Sequence, residues 1–431
     1  MTKKLEFVNL NYHPKDDLIC LFKIIPNRMS LKEAANTVAL ESSTGTWTDV
    51  EKGKLDYVEK LRAKVFSIKD NGHIKIAYPQ ELFEYDNVPN ILSSIAGNIF
   101  GMKAVRAIRL EDFSFPKSIL RAFKGPRYGI DGIRKMMKIK SRPLVGTIIK
   151  PKLGLNTEHH AESAYESWMG GCDIVKDDEN LASQKFNLFE KRLVKTLEMA
   201  DKAEQETGEK KAYLVNVTAE TKEMIKRAQL AEKMGNKYVM IDILTAGWAA
   251  VQTLREANFK MAIHAHRAMH AALDRNPNHG MAMMVIADFA RLIGVDQIHI
   301  GTGIGKLEGN IKYIEEINEE IEHKNIKEAK DRLEQKWEKI KPVLSVSSGG
   351  LHPGHVPFLI KHLGKDLIIQ VGGGIHAHPL GTIAGAKAMR QAVDAVMKKI
   401  DLKDYAEDHK ELKLAIEKWG YFDKNLVYRK F

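Results

Sequence analysis

Apolar and polar positions fall into two regimes along this chain. From about Lys4 to Phe123, short runs of strand type (Leu18–Ile25, Lys64–Ile68, Ile74–Tyr78, Val105–Leu110) are interleaved with stretches of helical period such as Leu31–Ala39 and Val88–Ile95. That mixture predicts an α+β domain of ferredoxin-like size. The segment KGPRYGIDG, around Gly125–Tyr128, breaks the pattern, so the expected domains are residues 1–125 and 126–431.

Beyond the break the chain becomes rhythmic. Apolar runs at Leu144–Ile149, Cys172–Val175, Ala212–Val215, Tyr238–Ile243, Met261–Ala265, Gln297–Ile300, Val343–Val346 and Leu367–Val371 are spaced by segments long enough for helices. Lys185–Glu204, Thr221–Lys233 and Ala377–Lys399 are the clearest of these. Eight β–α units in succession predict a TIM (β/α)8 barrel. Nearly every run ends in a polar or glycine-rich cluster: IKPK, KDDEN, NVT, DILTAG, HAHRAMH, HIGTGIGK, SSGG and VGGG. Barrel enzymes carry their chemistry on the loops at the carboxyl ends of the strands. Polar residues end most buried strands, but charged catalytic types at most of the ends need a further reason. Glu315–Lys341 reads as a solvated charged helix, and Tyr405–Phe431 as a helical cap without chemistry.

The formal charge of +11, from 67 Lys+Arg against 56 Asp+Glu, suits an anionic small substrate or a nucleic acid. The lysines are mostly interleaved with acids and lack aromatic-studded patches, so no nucleic-acid partner is expected. Cys20 and Cys172 lie far apart without metal-type spacing, which fits a reducing cytoplasmic setting. Leu18–Pro26 holds Lys23 and is too short to span a membrane, and no apolar signal core follows MTKKLEF. The expectation is a cytoplasmic protein without membrane association.

On a strand, Lys176 and Asp178 share a face, and Glu179 follows at the turn. Paired carboxylates suit an oxygen-preferring Mg2+. A lysine ammonium is no ligand, but an uncharged amine that adds CO2 becomes an anionic oxygen donor, and burial favours the uncharged amine. A buried Lys–Asp ion pair is the competing reading. Lys150 and Lys152 are also one strand period apart and suit a phosphorylated or enediolate substrate, one of them moving a proton. Two solvated lysines about a proline turn read equally well.

In HAHRAMH, Arg267 offers a planar fork for a phosphate. No third ligand of zinc type is spaced nearby, so His266 is the candidate acid/base or polar group and His264 its support. Two satisfied core histidines are the alternative. His299 precedes GTGIGKLEG, where Lys306 sits on a glycine-flanked loop able to close over a site and exclude water. A lysine in a merely flexible loop is the plainer option. Ser348-Gly349-Gly350 and Gly372-Gly373-Gly374 follow the last two strands, where barrels bind phosphate through backbone N–H groups. Glycine lets the backbone approach an anion closely, although an ordinary tight turn uses it too.

Taken together, these residues resemble the ribulose-bisphosphate carboxylase (Rubisco) large chain. ESSTGTWTDV, GNIFGMKAVRAIRLEDF, GTIIKPKLGL, GGCDIVKDDEN, HAHRAMH, NHGM, HIGTGIGKLEG, SSGG and VGGG follow one another in the family's order, from about residue 40 to residue 381. GTIIKPKLGL and GGGIHAHP are most similar to the archaeal (form III) branch. The resemblance implies a Mg2+-dependent carboxy-lyase that adds CO2 to the enediolate of ribulose 1,5-bisphosphate, giving two 3-phosphoglycerate, with a side reaction on O2. Lys176, carbamylated by an activating CO2, would hold Mg2+ with Asp178 and Glu179 and help remove the C3 proton. Lys150, with Lys152 beside it, would assist proton transfer, His266 would contact the reacting centre, and Lys306 would orient CO2.

One phosphate would be held by Thr46, Trp47, Gly350, Gly372 and Gly373, the other by Arg267, His299 and Ser348, with Gly349 in the same substrate-binding turn. Glu41, Thr46, Trp47 and Asn98 would reach the barrel of a neighbouring subunit, which implies at least a homodimer; no small subunit is expected. Nucleotide (AMP) salvage and carbon fixation are the pathways open to such an enzyme. Ile148 stands where the plant-type pattern has threonine, and Gly303-Ile304 where it has a Val-Val pair. Two rivals remain: a Rubisco-like enolase or isomerase, which keeps KDDE but loses substrate contacts, and a basic scaffold for a polyanion. Retention of Glu41, Asn98, Arg267, His299, Lys306 and Ser348 together speaks against the first; the second predicts an affinity that falls steeply with salt and no effect of Lys176→Ala.

Overall fold

A computed structural model describes residues 6–46, 48, 50–306 and 309–430. The chain divides into two compact units: Met1–Gly125 with Met269–Ile293 and His323–Ile340, and Pro126–Ala268 with Gly294–Glu322 and Lys341–Phe431. In the first, β1 (Asp17–Pro26), β2 (Lys64–Ile68), β3 (His73–Pro79) and β4 (Val105–Ser114) form an antiparallel sheet in the order β4-β1-β3-β2. Leu18, Cys20, Phe22 and Ile24 recur at the strand period on β1, all buried. The Leu31–Glu41 helix starts at a capping box: Ser30 accepts from Glu33 N–H, and the Glu33 carboxylate accepts from Ser30 N–H at 2.8 Å.

The second unit holds β5 (Leu144–Ile148), β6 (Ile174–Lys176), β7 (Ala212–Asn216), β8 (Tyr238–Asp242) and β9 (Ala262–His266). The next strand, β10 (Gly280–Met281), belongs to the first unit and pairs parallel with β4. After β11 (Gln297–His299) comes an antiparallel hairpin of β12 (Asn325–Ile326) and β13 (Gln335–Lys336), then β14 (Leu344–Ser348) and β15 (Leu367–Val371). A closed parallel barrel runs β5-β6-β7-β8-β9-β11-β14-β15. Each of the eight predicted runs supplies one of its strands, and the (β/α)8 expectation is borne out.

Period two stacks the barrel interior in layers. Leu144, Ile174, Ala212, Tyr238, Ala262, Leu344 and Ile368 form an apolar core with Ile130, Ile133 and Met137 from the Gly129–Met137 helix. Two residues further along the strands come Gly146, Lys176, His264 and Gln370, and two further again Ile148, Asp178, Asn216, Asp242, His266, Ser348 and Gly372. The polar side chains thus lie above an apolar floor. Gly146 leaves room there for Gln370, whose Oε1 would lie 2.7 Å from an added Cβ.

Two predicted helices are corrected. Glu315–Lys341 is helical only within Ile311–Glu322. The rest forms the β12–β13 hairpin and buries Ile326, Leu333 and Trp337, with the Arg291 guanidinium 4.4 Å from the Trp337 ring centre. Burial of one tryptophan outweighs the few tenths of a kcal/mol per exposed ion pair on which a charged helix rests. Tyr405–Phe431 is helical through Lys410–Trp419; Gly420 then takes φ 84°, and β16 (Tyr421–Phe422) pairs with β17 (Tyr428–Arg429). No helix among the described residues is long and apolar enough to cross a membrane.

Candidate active site

Lys176 ends β6 with its side chain buried. Its Nζ donates to the Asp177 carbonyl at 2.7 Å and lies 3.5 Å from Glu179 Oε2. Asp178, also buried, accepts from Lys150 Nζ at 2.6 Å and from Asn180 Nδ2 at 3.0 Å. Glu179 Oε2 is 3.6 Å from His266 Nε2. Lys150, Lys176, Asp178, Glu179 and His266, separated by up to 116 positions (266 − 150), therefore meet at the carboxyl end of the barrel. Burial raises the Glu179 carboxyl, but the charge of Lys176 and then of His266 outweighs it and holds the pKa at about 2.

Asp177 points the other way along the same strand. Its carboxylate is 3.1 Å from Arg192 Nε and 3.1 Å from His160 Nε2, and it accepts from Tyr213 Oη at 2.6 Å and Asn216 N–H at 3.0 Å. Burial opposes its ionisation, yet the Arg192 charge and His160 hold it well below the usual carboxylate range. These bonds pin the outer face of β6 and thereby aim Lys176 and Asp178 inward. No role was expected for Asp177. The signal was available, since neighbouring acids in KDDE cannot share a face. Asp242, at the end of β8, was missed as well. It lies 3.3 Å from His266 Nδ1, the nitrogen that accepts from Ala268 N–H at 3.2 Å, while Nε2 faces Glu179.

A row of polar side chains crosses β9, β11 and β14. Gln297 Oε1 is 2.9 Å from His264 Nδ1, His264 Nε2 is 2.9 Å from His299 Nε2, and His299 Nδ1 is 2.7 Å from Ser348 Oγ. Burial, then the Lys176 charge, pushes His264 down to about 3; burial, then His266, pushes His299 well below the usual range. Both rings are neutral in this setting, and Gln297 is a further unforeseen member.

The glycine turns and Lys306 also meet. Lys306 N–H donates to the Gly349 carbonyl at 3.3 Å, and a Cβ on Gly350 (φ 71°) would lie 2.8 Å from Lys306 N. A Cβ on Gly372 would lie 3.1 Å from Lys150 Cε, whereas Gly373 faces open space. The Arg267 guanidinium lies against Gly301, where an added Cβ would be 3.2 Å from its Nη2. Lys152 is exposed. In the first unit, Asn98 Nδ2 donates to Glu41 Oε1 at 3.4 Å, and Thr46 is half-buried. Trp47 lies outside the described residues.

Two family models match the chain: the ribulose bisphosphate carboxylase large chain catalytic domain over residues 129–419, and its N-terminal domain over residues 6–119. A ribulose bisphosphate carboxylase of Methanocaldococcus jannaschii is 52% identical over 96% of this chain and 100% of the relative. One from Pyrococcus abyssi is 50% identical, covering 97% of each chain. A solved dimeric archaeal Rubisco from Hyperthermus butylicus superposes with a TM-score of 0.91 at 48% identity, over 97% of this chain and 99% of that one. An octameric Rubisco from Pyrococcus horikoshii gives 0.90 at 48% identity, over 96% of both. With both halves matched in order and the barrel-end residues in contact, the chain belongs to the ribulose bisphosphate carboxylase large-chain family and is a carboxylase.

Proposed function

We propose that this chain adds CO2 to the enediolate of ribulose 1,5-bisphosphate to give two 3-phosphoglycerate, with Mg2+ held by Asp178, Glu179 and a carbamate on Lys176. The observation that carries this reading is the meeting of Lys176, Asp178 and Glu179 with Lys150 and His266 at one strand end. Among the described residues, no group of three His, Cys, Asp or Glu side chains is spaced to hold a metal ion. Asp178 and Glu179 offer two carboxylates, and the Lys176 amine, 3.5 Å from Glu179, is placed to add a third oxygen donor after reaction with CO2. An all-oxygen donor set fits a hard divalent cation. When bound, Mg2+ supplies a Lewis acid that polarises the ketone and hydroxyl of the sugar.

The chain's own groups do the rest. The Lys176 carbamate accepts the C3 proton, and Lys150 returns a proton to the product carbanion, with Lys152 beside it. His266 contacts the reacting centre, and Lys306 orients CO2 and neutralises the new carboxylate. Thr46, Trp47, Gly350, Gly372 and Gly373 hold one phosphate; Arg267, His299 and Ser348 hold the other, with Gly349 in the same substrate-binding turn. O2 enters the same enediolate chemistry as a side reaction.

The working unit in this reading is a homodimer without a small subunit, in which Glu41, Thr46, Trp47 and Asn98 complete the neighbour's site. The dimeric and octameric relatives, each with an even number of chains, support it. Family matches that break between residues 119 and 129 support domains of 1–125 and 126–431. Residence in the cytoplasm, and a place in nucleotide salvage or carbon fixation, complete the proposal. Supplying purified protein with labelled CO2, Mg2+ and ribulose 1,5-bisphosphate tests it: labelled 3-phosphoglycerate is expected, and its absence overturns the reading.

A further inference from the structure

We propose that Gln297 is a positioning residue whose side-chain amide sets the direction of the His264–His299–Ser348 hydrogen-bond chain, and so decides whether the Ser348 hydroxyl donates to a bound phosphate. The inference rests on the reading above in one respect, that Ser348 faces an anion.

The geometry is restrictive. Gln297 and His264 are register partners on neighbouring parallel strands, and His299 lies two residues past Gln297 on the same face of β11. His264 is thereby bonded to both through its two ring nitrogens. The contact of 2.9 Å between the two Nε2 atoms is a hydrogen bond only if one of them carries a proton and the other is bare. Since both rings are neutral, the choice made there passes to both ends of the chain.

As the structure stands, Gln297 Oε1 accepts from His264 Nδ1–H. His264 Nε2 is then bare and accepts from His299 Nε2–H. His299 Nδ1 is bare in turn and accepts a hydrogen bond from the Ser348 hydroxyl. In that direction neither His299 nor Ser348 has a proton left for a phosphate. The opposite direction begins with Gln297 Nε2–H donating to His264 Nδ1 and ends with Ser348 O–H free to donate outward. Gln297 is buried, and its Nε2 has no hydrogen-bond partner among the described residues. A half-turn of the amide therefore breaks no other bond. An amide, with a donor and an acceptor on one carbon, permits both directions; a carboxylate permits only the first.

Two measurements that need no turnover test this, so they stand apart from the fate of the carboxylase reading. In wild-type protein carrying 15N-histidine, His299 is expected to hold its proton on Nε2 alone and on Nδ1 once inorganic phosphate is added; the same tautomer in both states overturns the proposal. In calorimetric titrations with inorganic phosphate, Gln297→Glu and Ser348→Ala are each expected to weaken binding by about tenfold, the value of one hydrogen bond to a charged group. The double variant should bind no more weakly than the worse single one. Wild-type affinity in Gln297→Glu, or losses that multiply, overturns it. If Gln297→Glu does not fold, the nitrogen measurement on the wild type decides alone.

Discussion

The Lys150 ammonium lies 2.6 Å from the Asp178 carboxylate, and Asp178 is buried while Lys150 is a third exposed. A carboxylate proposed as a metal ligand is thus held by a neighbouring cation, and the same lysine is proposed to move a proton. Lysine and metal compete for one group.

Removing that competitor separates the two roles. Lys150→Met is expected to bind Mg2+ about tenfold more tightly, because a positive charge at this range no longer opposes the ion. Turnover should fall by at least about a hundredfold, because the proton donor is gone. Calorimetry with Mg2+ under CO2, beside the labelled-CO2 assay, reads both; unchanged metal affinity would contradict the competition.

Lys176→Ala should abolish turnover and leave the circular dichroism spectrum unaltered, since removing the long side chain leaves the apolar floor beneath it intact. In the wild type, pre-incubation with CO2 and Mg2+ should raise the initial rate, because the donor set is incomplete before the amine is modified. Full activity without that step would remove Lys176 from the ligand set.

Arg192→Met is expected to destabilise the protein by about 3–5 kcal/mol, the typical cost of stranding a buried charge, here Asp177. Denaturant unfolding measures it. Turnover should fall as well, since the bonds that aim Lys176 and Asp178 are lost. A loss below about 1 kcal/mol would mean that Asp177 finds other compensation.

Stability should depend on pH between about 4 and 7 through contributions of opposite sign. Burial lowers His264 to about 3, and His352 and His376 to about 3 and about 4. These rings stay neutral in the fold while the unfolded chain takes up protons, so stability is lost as pH falls from about 6.5 toward 4. Asp112 has the opposite sign. Burial pushes its carboxyl up to about 7, against hydrogen bonds from Leu333 N–H, Asp288 and Phe113 N–H. Its contribution is full below about 4, the unfolded value, and is lost as pH rises through 7. Between about pH 4 and 7 the two slopes oppose each other, and Asp112→Asn, which removes only the falling one, should make the melting temperature rise more steeply with pH across that window.

Much of the barrel was legible because it repeats. Eight apolar runs at helix-length spacing announce parallel strands, and residues at their carboxyl ends, such as Lys176, Asp178 and His266, are inward by alternation alone. The charged helix expected over Glu315–Lys341 failed for a reason local pattern cannot contain. Trp337 and Ile326 found burial against distant parts of the chain, and that free energy exceeds any helical preference of lysines and glutamates.

What the sequence determined by itself is the order of strands and the kinds of side chain at their ends, because alternation and helix period are properties of neighbouring residues. Only the closed barrel decided which of those side chains touch. Lys150 reaches Asp178 and Gln297 reaches His264 because strands separated in sequence lie side by side in a fixed register, and Asp177 meets Arg192 of the Phe189–Thr207 helix. Contacts of that kind depend on closure of the whole sheet, and no window of residues contains it.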